Sequence, residues 1–308
     1  MSDATAASSD KGDRAPLVTI AMPIYNAGHY LRPAVMSILQ QTLADFELLI
    51  IDDGSTDGAT EDIRDIGDPR VRILRDGLNK GLAARLNEAI DLARGKYVAR
   101  MDQDDISYPE RLSCQLAMLE RNRELDLVGV RCVAIDANNE FVGALPHALT
   151  HEELSARPWT GFYLPHPTWM GRVGWFRRHR YASPGPFFCE DQELLLRSYR
   201  ESRFATVPEV LFAYRVRNNI NWGKSFKTRK TLLGIQLGYF FCMRQFHCAL
   251  LATMAFVGRV ALDSLNALVQ TFGYSGVPRH SAGVVEADEK LKWRAISHQL
   301  ALTGTQIE

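Results

Sequence analysis

Short apolar runs alternate with helical patterns through the first third of the chain, and this alternation constrains the possible folds more than any other feature. The four runs are LVTIAMPI (17–24), FELLIID (46–52), VRIL (71–74) and KYVARM (96–101). The helical patterns lie at 29–41, after Thr56 and at 81–93. Strands that lack period-two polarity and are separated by helices indicate a parallel sheet covered on both faces. The sequence therefore predicts an α/β fold.

The composition is that of an ordinary globular protein with no net charge. The chain has 308 residues, of which 46% are hydrophobic, and it carries 36 basic and 36 acidic side chains. This balance argues against a nucleic-acid partner. The five cysteines show no CxxC or Cys/His ligand spacing. Their pattern is typical of buried thiols in a reducing compartment and argues against a disulfide framework or a structural zinc site.

Three polar segments directly follow predicted strands. They are PIYNAG (23–28), DDGSTD (52–57) and DQDD (102–105). Ligands of open α/β sheets bind at the carboxyl ends of the strands, so these segments should converge on one crevice. Taken alone, DDGSTD also suits a turn and a helix N-cap. The first strand is not followed by GxGxxG or GxxxxGK[ST], so neither a dinucleotide cradle nor a P-loop is predicted.

The DQDD segment places three carboxylates together at the end of an apolar run. Like charges this close raise one another's pKa unless a cation, hydrogen-bond donors or solvent relieves the repulsion. Carboxylate oxygens are the hard ligands that Mg²⁺ and Mn²⁺ prefer, and Asp102 and Asp104 can point towards one such ion. The alternative is an acidic helix N-terminus before Pro109. Because the cluster follows the strand directly, the pattern favours a metal ion that also takes diphosphate oxygens.

Two segments carry a family resemblance. VTIAMPIYNAGHYLRPAVMSILQQTLADFELLIIDDGSTD begins at Val18, and NKGLAARLNEAIDLARGKYVARMDQDDISYPERL ends at Leu112. Together they resemble the nucleotide-sugar half of glycosyltransferase family 2, the inverting enzymes with a GT-A fold, a Rossmann-like, mostly parallel mixed sheet flanked by helices. The resemblance implies a GT-A domain over 16–220, with a nucleotide-sugar half at 16–112 and an acceptor half at 113–220.

The resemblance implies roles for residues that match the family's motifs. The first nucleotide-contacting loop would comprise Pro23, Tyr25 and Asn26. Asp53 would accept a hydrogen bond from the base, most typically the N3–H of uracil, which implies a UDP-linked donor. Lys80 and Arg85 would be further nucleotide contacts, although each could equally be a solvated helix charge.

The DQDD cluster matches the family's DxD motif. Asp102 and Asp104 would bind the metal ion, Mn²⁺ or Mg²⁺, with Asp104 as the direct ligand that also reaches the donor diphosphate. Asp105 would support the ribose or the metal shell. The resemblance thus makes the predicted cation site part of a donor site.

The second half should supply the acceptor site and the catalytic base. HPTWMGRVGWF (166–176) resembles the family's strand and following helix, and Glu190 and Asp191 open an amphipathic helix. In the family an Asp at this position is the general base, which takes the proton of the attacking hydroxyl. The resemblance implies Asp191 as the base and Glu190 as an acceptor-binding neighbour. The helix dipole alone also favours acids in a first turn, and His166 is interpreted as structural.

The implied reaction is a single in-line displacement with inversion. One sugar would pass from a nucleoside-diphosphate sugar to a hydroxyl of a glycan or lipid-linked acceptor in cell-surface polysaccharide biosynthesis. Processive synthases of the family carry QxxRW, which the nearest segment, RVRNNINW (215–222), lacks. Two alternatives remain. A sugar nucleotidylyltransferase should carry a Gly-rich loop in place of PIYNAG, and an inactive sugar-nucleotide-binding scaffold should have lost carboxylates.

Both ends of the chain are predicted to lie outside the catalytic domain. Residues 1–15 are small and polar with no apolar h-region, which predicts a disordered leader and no signal peptide. Residues 221–308 are predicted to form a helical extension. Its uncharged stretches, 231–243 and 245–258, fall short of the roughly 18 apolar residues that a membrane span requires, so no transmembrane helix is predicted.

The extension could pack on the domain, form a homo-oligomer interface or lie on a bilayer surface. The last would place a cytoplasmic protein at the inner face of the cytoplasmic membrane. Basic residues near its start could contact the diphosphate or an anionic acceptor, or form a solvated cationic face. They are Arg215, Arg217, Lys224, Lys227, Arg229 and Lys230. Residues from about Gly273 are predicted to be partly flexible.

Overall fold

The computed structural model describes residues 14–186, 188–216, 222–271 and 287–302. Within these ranges one sheet contains nine strands. The strands are β1 (Val18–Ile24), β2 (Phe46–Asp52), β3 (Val71–Arg75), β4 (Tyr97–Arg100), β5 (Ile106–Ser107), β6 (Leu127–Ile135), β7 (Phe141–Ala144), β8 (Met170–Arg172) and β9 (Phe204–Arg215). The predicted leader lies outside the described residues as far as residue 13.

Helices cover the sheet. They are α1 (Leu31–Leu39), α2 (Leu82–Leu92), α3 (Arg111–Arg121), α4 (His151–Ser155), α5 (Val173–Arg178), α6 (Glu190–Ser198), α7 (Trp222–Cys242), α8 (Phe246–Thr271) and α9 (Ala287–Leu302). Alternate residues of the central strands enter two different apolar clusters. Ile20 and Ile50 belong to one, and Ala21 and Leu49 to the other. The central strands are therefore buried on both faces, as their unbroken apolar runs predict.

The strand order places the carboxyl ends of the central strands side by side. The order is β3-β2-β1-β4-β8-β6-β9-β5, with β7 paired to β6. Strands β1 to β4 pair in parallel, with Ile24 opposite Asp52 and Ala21 opposite Arg100. Strand β8 runs antiparallel between β4 and β6. The three polar segments of the sequence analysis therefore leave the sheet at one edge, and the predicted α/β class is confirmed.

One predicted helix is much shorter than expected. After Thr56 the chain forms only a 3₁₀ segment, Glu61–Ile66. Gly58 and Gly67 bracket it with positive φ angles of 78° and 56°. A left-handed backbone conformation interrupts an α-helix, so the two glycines limit the helical segment to the residues between them.

Helices α7 and α8 form a hairpin. Residues Phe246–Leu268 have a mean hydropathy of 1.6 and are long and apolar enough to cross a membrane by length and composition. The sequence-based expectation of no such helix is therefore corrected. The expectation considered only stretches without charged residues. The helix continues past Arg259 and Asp263, whose charged side chains are bonded to other parts of the protein.

Helix α9 packs on the catalytic domain, which corrects the expectation of a partly flexible terminus for its residues. Trp293 is buried, stacks on Tyr108 with ring centroids 6.4 Å apart, and donates from Nε1 to the carbonyl of Asn139 at 3.0 Å. Glu289 also pairs with Arg131 of β6 at 2.8 Å. A buried aromatic group and an ion pair thus fasten this helix to the domain.

A buried guanidinium ties β4 to the turn at 166–168. Arg111 is fully buried, and its Nη2 donates to the carbonyls of Arg100 at 2.6 Å and Pro167 at 3.0 Å. Its neighbour one turn on, Gln115, donates to the carbonyls of Val128 and Thr168, both at 2.7 Å. Helix α3 therefore fixes the position of strand ends that come from both halves of the domain.

Candidate active site

Three carboxylates converge just beyond the end of β4. Ligand oxygens of Asp102, Asp104 and Asp105 all lie within 4.8 Å of one another. Oδ1 of the buried Asp105 accepts from the backbone N–H of Arg215 at 2.7 Å, and its Oδ2 has no hydrogen-bond partner among the described residues. Burial, followed by the charges of Asp102 and Asp104, raises the pKa of Asp105 well above its usual range. A buried carboxylate oxygen without a partner, in a cluster of like charge, fits a divalent cation.

Arg100 is a functional candidate that the sequence analysis missed. Its side chain is only 4% exposed, and Nη2 lies 2.7 Å from Oδ1 of Asp102. Nε and Nη1 are buried without hydrogen-bond partners in the described part of the chain. The available signal was a cationic residue inside the apolar run KYVARM, two positions before the carboxylates. A buried arginine is rare unless it is paired.

A cavity of about 730 Å³, the first cavity, opens at the carboxyl ends of β1 and β4. Six of the predicted donor-site and metal-site residues line it. They are Pro23, Tyr25, Asp53, Lys80, Asp102 and Asp104. Three others, Asn26, Arg85 and Asp105, do not. The structure therefore brings most of the predicted donor site together around one space.

The first loop is held by hydrogen bonds to the other two polar segments. The backbone N–H of Tyr25 donates to Oε1 of Gln103 at 2.6 Å, and its carbonyl accepts from Nε2 of Gln103 at 3.0 Å. Asn26, at a positive φ of 48°, accepts from the backbone N–H of Thr56 through its Oδ1 at 2.9 Å. Asn26 thus joins two loops without lining the cavity, whereas Tyr25 lines it.

Asp53, which lines the first cavity, forms a buried ion pair with Arg85, which does not line it. The Asp53 carboxylate accepts from the backbone N–H of Lys80 at 2.7 Å and of Gly81 at 3.0 Å, and from Nε of Arg85 at 2.9 Å. The Arg85 side chain is 1% exposed and also pairs with Asp76. The Arg85 guanidinium is thus occupied by protein partners and does not line the first cavity, so its predicted contribution to nucleotide binding would be made through Asp53.

Lys80 remains at the cavity surface. Its Nζ pairs with Asp76 at 2.5 Å, and the residue lines the first cavity. Hydrogen bonds from Arg85 and then Lys80 hold the pKa of Asp76 far below its usual range. Asp76 thus pairs with both Lys80 and Arg85 and positions these two cationic side chains.

A second cavity, of about 470 Å³, adjoins the first. Its lining includes Arg100, His166, Asp191 and Tyr214. Four residues line both cavities: Leu82, Asp102, Phe188 and Glu190. The two cavities thus meet between the carboxylate cluster after β4 and the start of α6. A larger cavity, of about 860 Å³ between α3 and the start of β9, is lined by none of the predicted site residues.

The two acids that open α6 lie in the second cavity. Oδ2 of Asp191 accepts from Nε2 of Gln192 at 3.1 Å, and burial raises the pKa of Asp191. Burial, followed by the charge of Asp191, also raises the pKa of Glu190. The leucines at 194, 195 and 196 are buried and anchor this helix on the core. An elevated pKa makes a carboxylate a better proton acceptor as long as it stays ionised.

His166 lies between these acids and the Arg100 region. Its Nε2 is 2.7 Å from the hydroxyl oxygen of Tyr181, and its Nδ1 is 3.8 Å from Oε1 of Glu190. Burial and the nearby charge of Arg100 lower the pKa of His166 well below its ordinary value. The imidazole is therefore neutral near pH 7 and joins the hydrogen-bonded wall of the second cavity.

The basic residues near 215–230 do not form one surface. Arg215 is buried and donates to the carbonyls of Asp104 at 2.7 Å and Asp136 at 2.6 Å. Arg229 pairs with Asp263 of α8. Arg217 lies outside the described residues. Arg215 therefore shapes the loop that carries the carboxylate cluster and does not present a free cation to a ligand.

The chain is similar to a family model and to several known proteins. Residues 19–180, more than half of the chain, match the family model described as Glycosyl transferase family 2. An uncharacterized glycosyltransferase of Methanocaldococcus jannaschii is 29% identical over 70% of this chain and 76% of its own length. The UDP-Glc:alpha-D-GlcNAc-diphosphoundecaprenol beta-1,3-glucosyltransferase WfgD of Escherichia coli is 35% identical over 45% of this chain and 54% of its own length. The chain thus spans about half of that enzyme.

Solved structures share the fold. Staphylococcus aureus TarS 1-349 in complex with UDP-GlcNAc aligns with a TM-score of 0.59 and 16% identity, covering 92% of this chain and 80% of TarS 1-349. The mannosyltransferase PcManGT from Pyrobaculum calidifontis, in complex with GDP-Man and Mn²⁺, aligns with a TM-score of 0.57 and 17% identity, covering 94% of this chain and 81% of its own. These neighbours support the GT-A architecture. The chain belongs to glycosyl transferase family 2 and is a glycosyltransferase.

Proposed function

We propose that this glycosyltransferase is inverting and metal-dependent, and that it moves a single sugar from a UDP-linked donor to a hydroxyl of a glycan or lipid-linked acceptor. One observation carries the proposal: two cavities meet at a junction with the Asp102 to Asp105 cluster on one side and Glu190 and Asp191 on the other. This arrangement suits a displacement in which the leaving group and the proton acceptor lie on opposite sides of the reacting carbon.

The first cavity would hold the nucleoside diphosphate. Tyr25 and Pro23 would contact the nucleoside, and Asp53, held by the Lys80–Gly81 backbone, would face the base with its remaining acceptor capacity. Asp104 and Asp102 would hold Mn²⁺ or Mg²⁺, and the buried Asp105 would support them from the protein side. When bound, such an ion offsets the negative charge that develops on the leaving diphosphate. Arg100 keeps Asp102 in place and adds a fixed positive charge at the junction.

The second cavity would hold the acceptor. As the acceptor oxygen forms its bond to the anomeric carbon, its proton passes to the Asp191 carboxylate. The bond between that carbon and the diphosphate oxygen breaks, and the diphosphate leaves with the electron pair. One displacement inverts the anomeric configuration. Glu190, at the junction, would hydrogen-bond to an acceptor or donor hydroxyl and orient it.

The biological setting is proposed from relatives. The E. coli relative is named for a diphosphoundecaprenol-linked acceptor. A putative teichuronic acid biosynthesis glycosyltransferase of Bacillus subtilis is 34% identical over 45% of this chain and 56% of its own length. Both names point to bacterial cell-surface glycans. We assign this protein to the same class of pathway.

The first test is a thermal-shift screen of UDP, GDP, dTDP, CDP and ADP, each with and without Mn²⁺. A ligand that binds only the folded state raises the melting temperature. We expect a shift with UDP that requires Mn²⁺, disappears in Asp104→Asn and persists in the matched control Asp62→Asn, an exposed acid outside both cavities. A metal-independent shift would contradict the metal role, and a shift with another nucleotide alone would contradict the UDP assignment.

A product assay separates the proposal from its alternatives. The transferase should release UDP from a UDP-sugar in a reaction that requires both metal and acceptor. A nucleotidylyltransferase would instead release pyrophosphate from a nucleoside triphosphate and a sugar phosphate. An inactive scaffold would show the thermal shift but no turnover with any acceptor pool extracted from bacterial envelopes.

A further inference from the structure

The solvent-facing side of α8 is mostly apolar and carries only His247, Thr253 and Ser264 as exposed polar residues between 246 and 268. Six exposed side chains form this surface, which we call the α8 face: Phe246, Leu250, Met254, Val257, Leu262 and Leu265. They recur every three to five residues, so they lie on one side of the helix over roughly 30 Å. Soluble monomers rarely leave an apolar patch of this extent exposed to water.

The charged side chains of α8 point in the opposite direction. Arg259 donates from Nη2 to the carbonyl of Thr160 at 2.8 Å, and Asp263 pairs with Arg229 of α7. The exposed residues of 246–268 include no Asp, Glu, Lys or Arg. A surface helix of a soluble protein normally shows the reverse pattern, with its charges in water and its apolar side buried.

The hairpin that carries this face is strongly basic. Residues 222–271 contain six Lys or Arg and a single acid, Asp263, whereas the whole chain has no net charge. Lys224, Lys227 and Lys230 are exposed on α7, and Arg244 is exposed at the turn between the helices. A second copy of the chain would bring two such basic hairpins together, which charge repulsion disfavours. An anionic surface is the complementary partner.

The hairpin also borders the proposed acceptor cavity. Lys224 Nζ lies 4.0 Å from the ring centroid of Phe188, which lines both cavities. On the other side, Gln236 donates to the carbonyl of Pro158 at 3.1 Å, close to the cavity residues Phe162 and Tyr163. A partner on the α8 face would therefore lie beside the cavity that takes the acceptor.

From these observations we infer that the α8 face docks on the surface of an anionic lipid bilayer, with α8 lying in the plane of the membrane. The aliphatic and aromatic side chains would enter the boundary between headgroups and acyl chains, and the lysines and Arg244 would contact lipid phosphates. The helix does not need to span the bilayer, because its opposite side is packed on α7 and on the 158–160 segment.

The test is vesicle flotation of the full chain, using phosphatidylcholine alone or mixed with phosphatidylglycerol. We expect binding to the mixed vesicles that weakens as salt is added. Met254→Glu with Leu265→Glu should lower the partition coefficient by more than about tenfold, since it places two charges in the apolar boundary. The matched control, Val142→Glu with Leu291→Glu, alters two exposed apolar side chains elsewhere and should bind as wild type does.

Three outcomes would overturn the inference. The first is an absence of wild-type binding to mixed vesicles, and the second is binding that the Met254 and Leu265 substitutions leave unchanged. The third is lipid-free self-association, measured by sedimentation velocity, that these substitutions abolish, because it would assign the α8 face to a second copy. Circular dichroism melting of both double variants verifies that they are folded. The donor thermal shift should be the same in both, so this inference and the proposed reaction fail independently.

Discussion

Arg100 and Asp102 form an ion pair at the junction of the two cavities, with Nη2 of the arginine 2.7 Å from Oδ1 of the aspartate. The arginine is almost wholly buried, whereas the aspartate reaches both cavities. This pair links the proposed metal site to the wall of the acceptor cavity, and both partners lie on one short stretch of chain.

Replacing Arg100 with Met should lower kcat/KM for the donor about 100-fold, because it removes the cation that positions the Asp102 carboxylate and a fixed positive charge at the junction. Arg100→Lys should recover only part of the loss, since an ammonium lacks the fixed donor fork. Initial rates of UDP release measure both. Arg172→Met, which removes a half-buried arginine of β8 outside the two cavities, is the control. Wild-type rates in Arg100→Met would show that the pair has no role in turnover.

The pH dependence of kcat/KM, which reflects the ionisations of the free enzyme, should report on Asp191. Burial raises its pKa, so the acid limb of the pH–rate profile should lie above the range of an ordinary aspartate, about 3.9. Asp191→Asn should remove this limb and lower kcat by about 10²- to 10⁴-fold. Glu193→Gln is the matched control, because Glu193 is an acid in the same helical turn that pairs with Arg197 outside the cavities. An equal loss in both variants would support the helix-dipole interpretation instead.

The same pKa shift predicts the sign of a stability effect. A group whose pKa is raised by folding contributes stability below its unfolded pKa and loses that contribution as the pH rises through the folded pKa. Ionised Asp191 should therefore cost stability near pH 7. We expect Asp191→Asn to raise the melting temperature at pH 7 by more than at pH 4. A lower melting temperature at pH 7 would mean that the ionised carboxylate stabilises the fold.

Arg85 should act on the donor through Asp53 and the 79–81 loop. Arg85→Gln removes the Nε contact to Asp53 and should loosen the Lys80–Gly81 backbone that this carboxylate holds. We expect the donor KM to rise about tenfold with little change in kcat, the pattern of lost uniform binding. Arg94→Gln, an exposed arginine just after the same helix, should leave KM unchanged. A fall in kcat without a change in KM would instead place Arg85 in the chemical step.

Trp293 should fasten α9 to the domain. Trp293→Ala removes a buried indole and its hydrogen bond to Asn139, and should lower the free energy of unfolding by about 3–5 kcal/mol. Urea denaturation measures the change. Leu291→Ala, on the exposed side of the same helix, should stay within about 0.5 kcal/mol of wild type. Equal effects of the two substitutions would mean that the indole does not anchor the helix.

The central sheet and the convergence of the three polar segments could be predicted because they depend on local signals. FELLIID forms a strand over the predicted residues, and DQDD follows its strand directly. Parallel pairing then brings those segments to one edge. The shortness of the 3₁₀ segment after Thr56 could not be predicted from the helical pattern, because the two flanking glycines override that pattern.

The exact roles of charged residues could not be predicted, because they depend on distant partners. Arg85 looks like a surface cation in the sequence, yet Asp53 and Asp76, 32 and 9 residues away, surround it. Arg100 is visible only as an unusual residue in an apolar strand. The packing of Trp293 joins residues 154 positions apart, and no local periodicity reports such a contact.

Helix α3 has a consequence for exchanging acceptor specificity between enzymes of this fold. Arg111 and Gln115 hold the carbonyls of Arg100, Pro167, Val128 and Thr168 together. A chimaera joined at Leu112 would separate these two side chains into different parents. A junction after Arg121 keeps both Arg111 and Gln115 in the donor half. The acceptor half from the other parent then needs to supply only backbone carbonyls, which any sequence with the same backbone conformation provides.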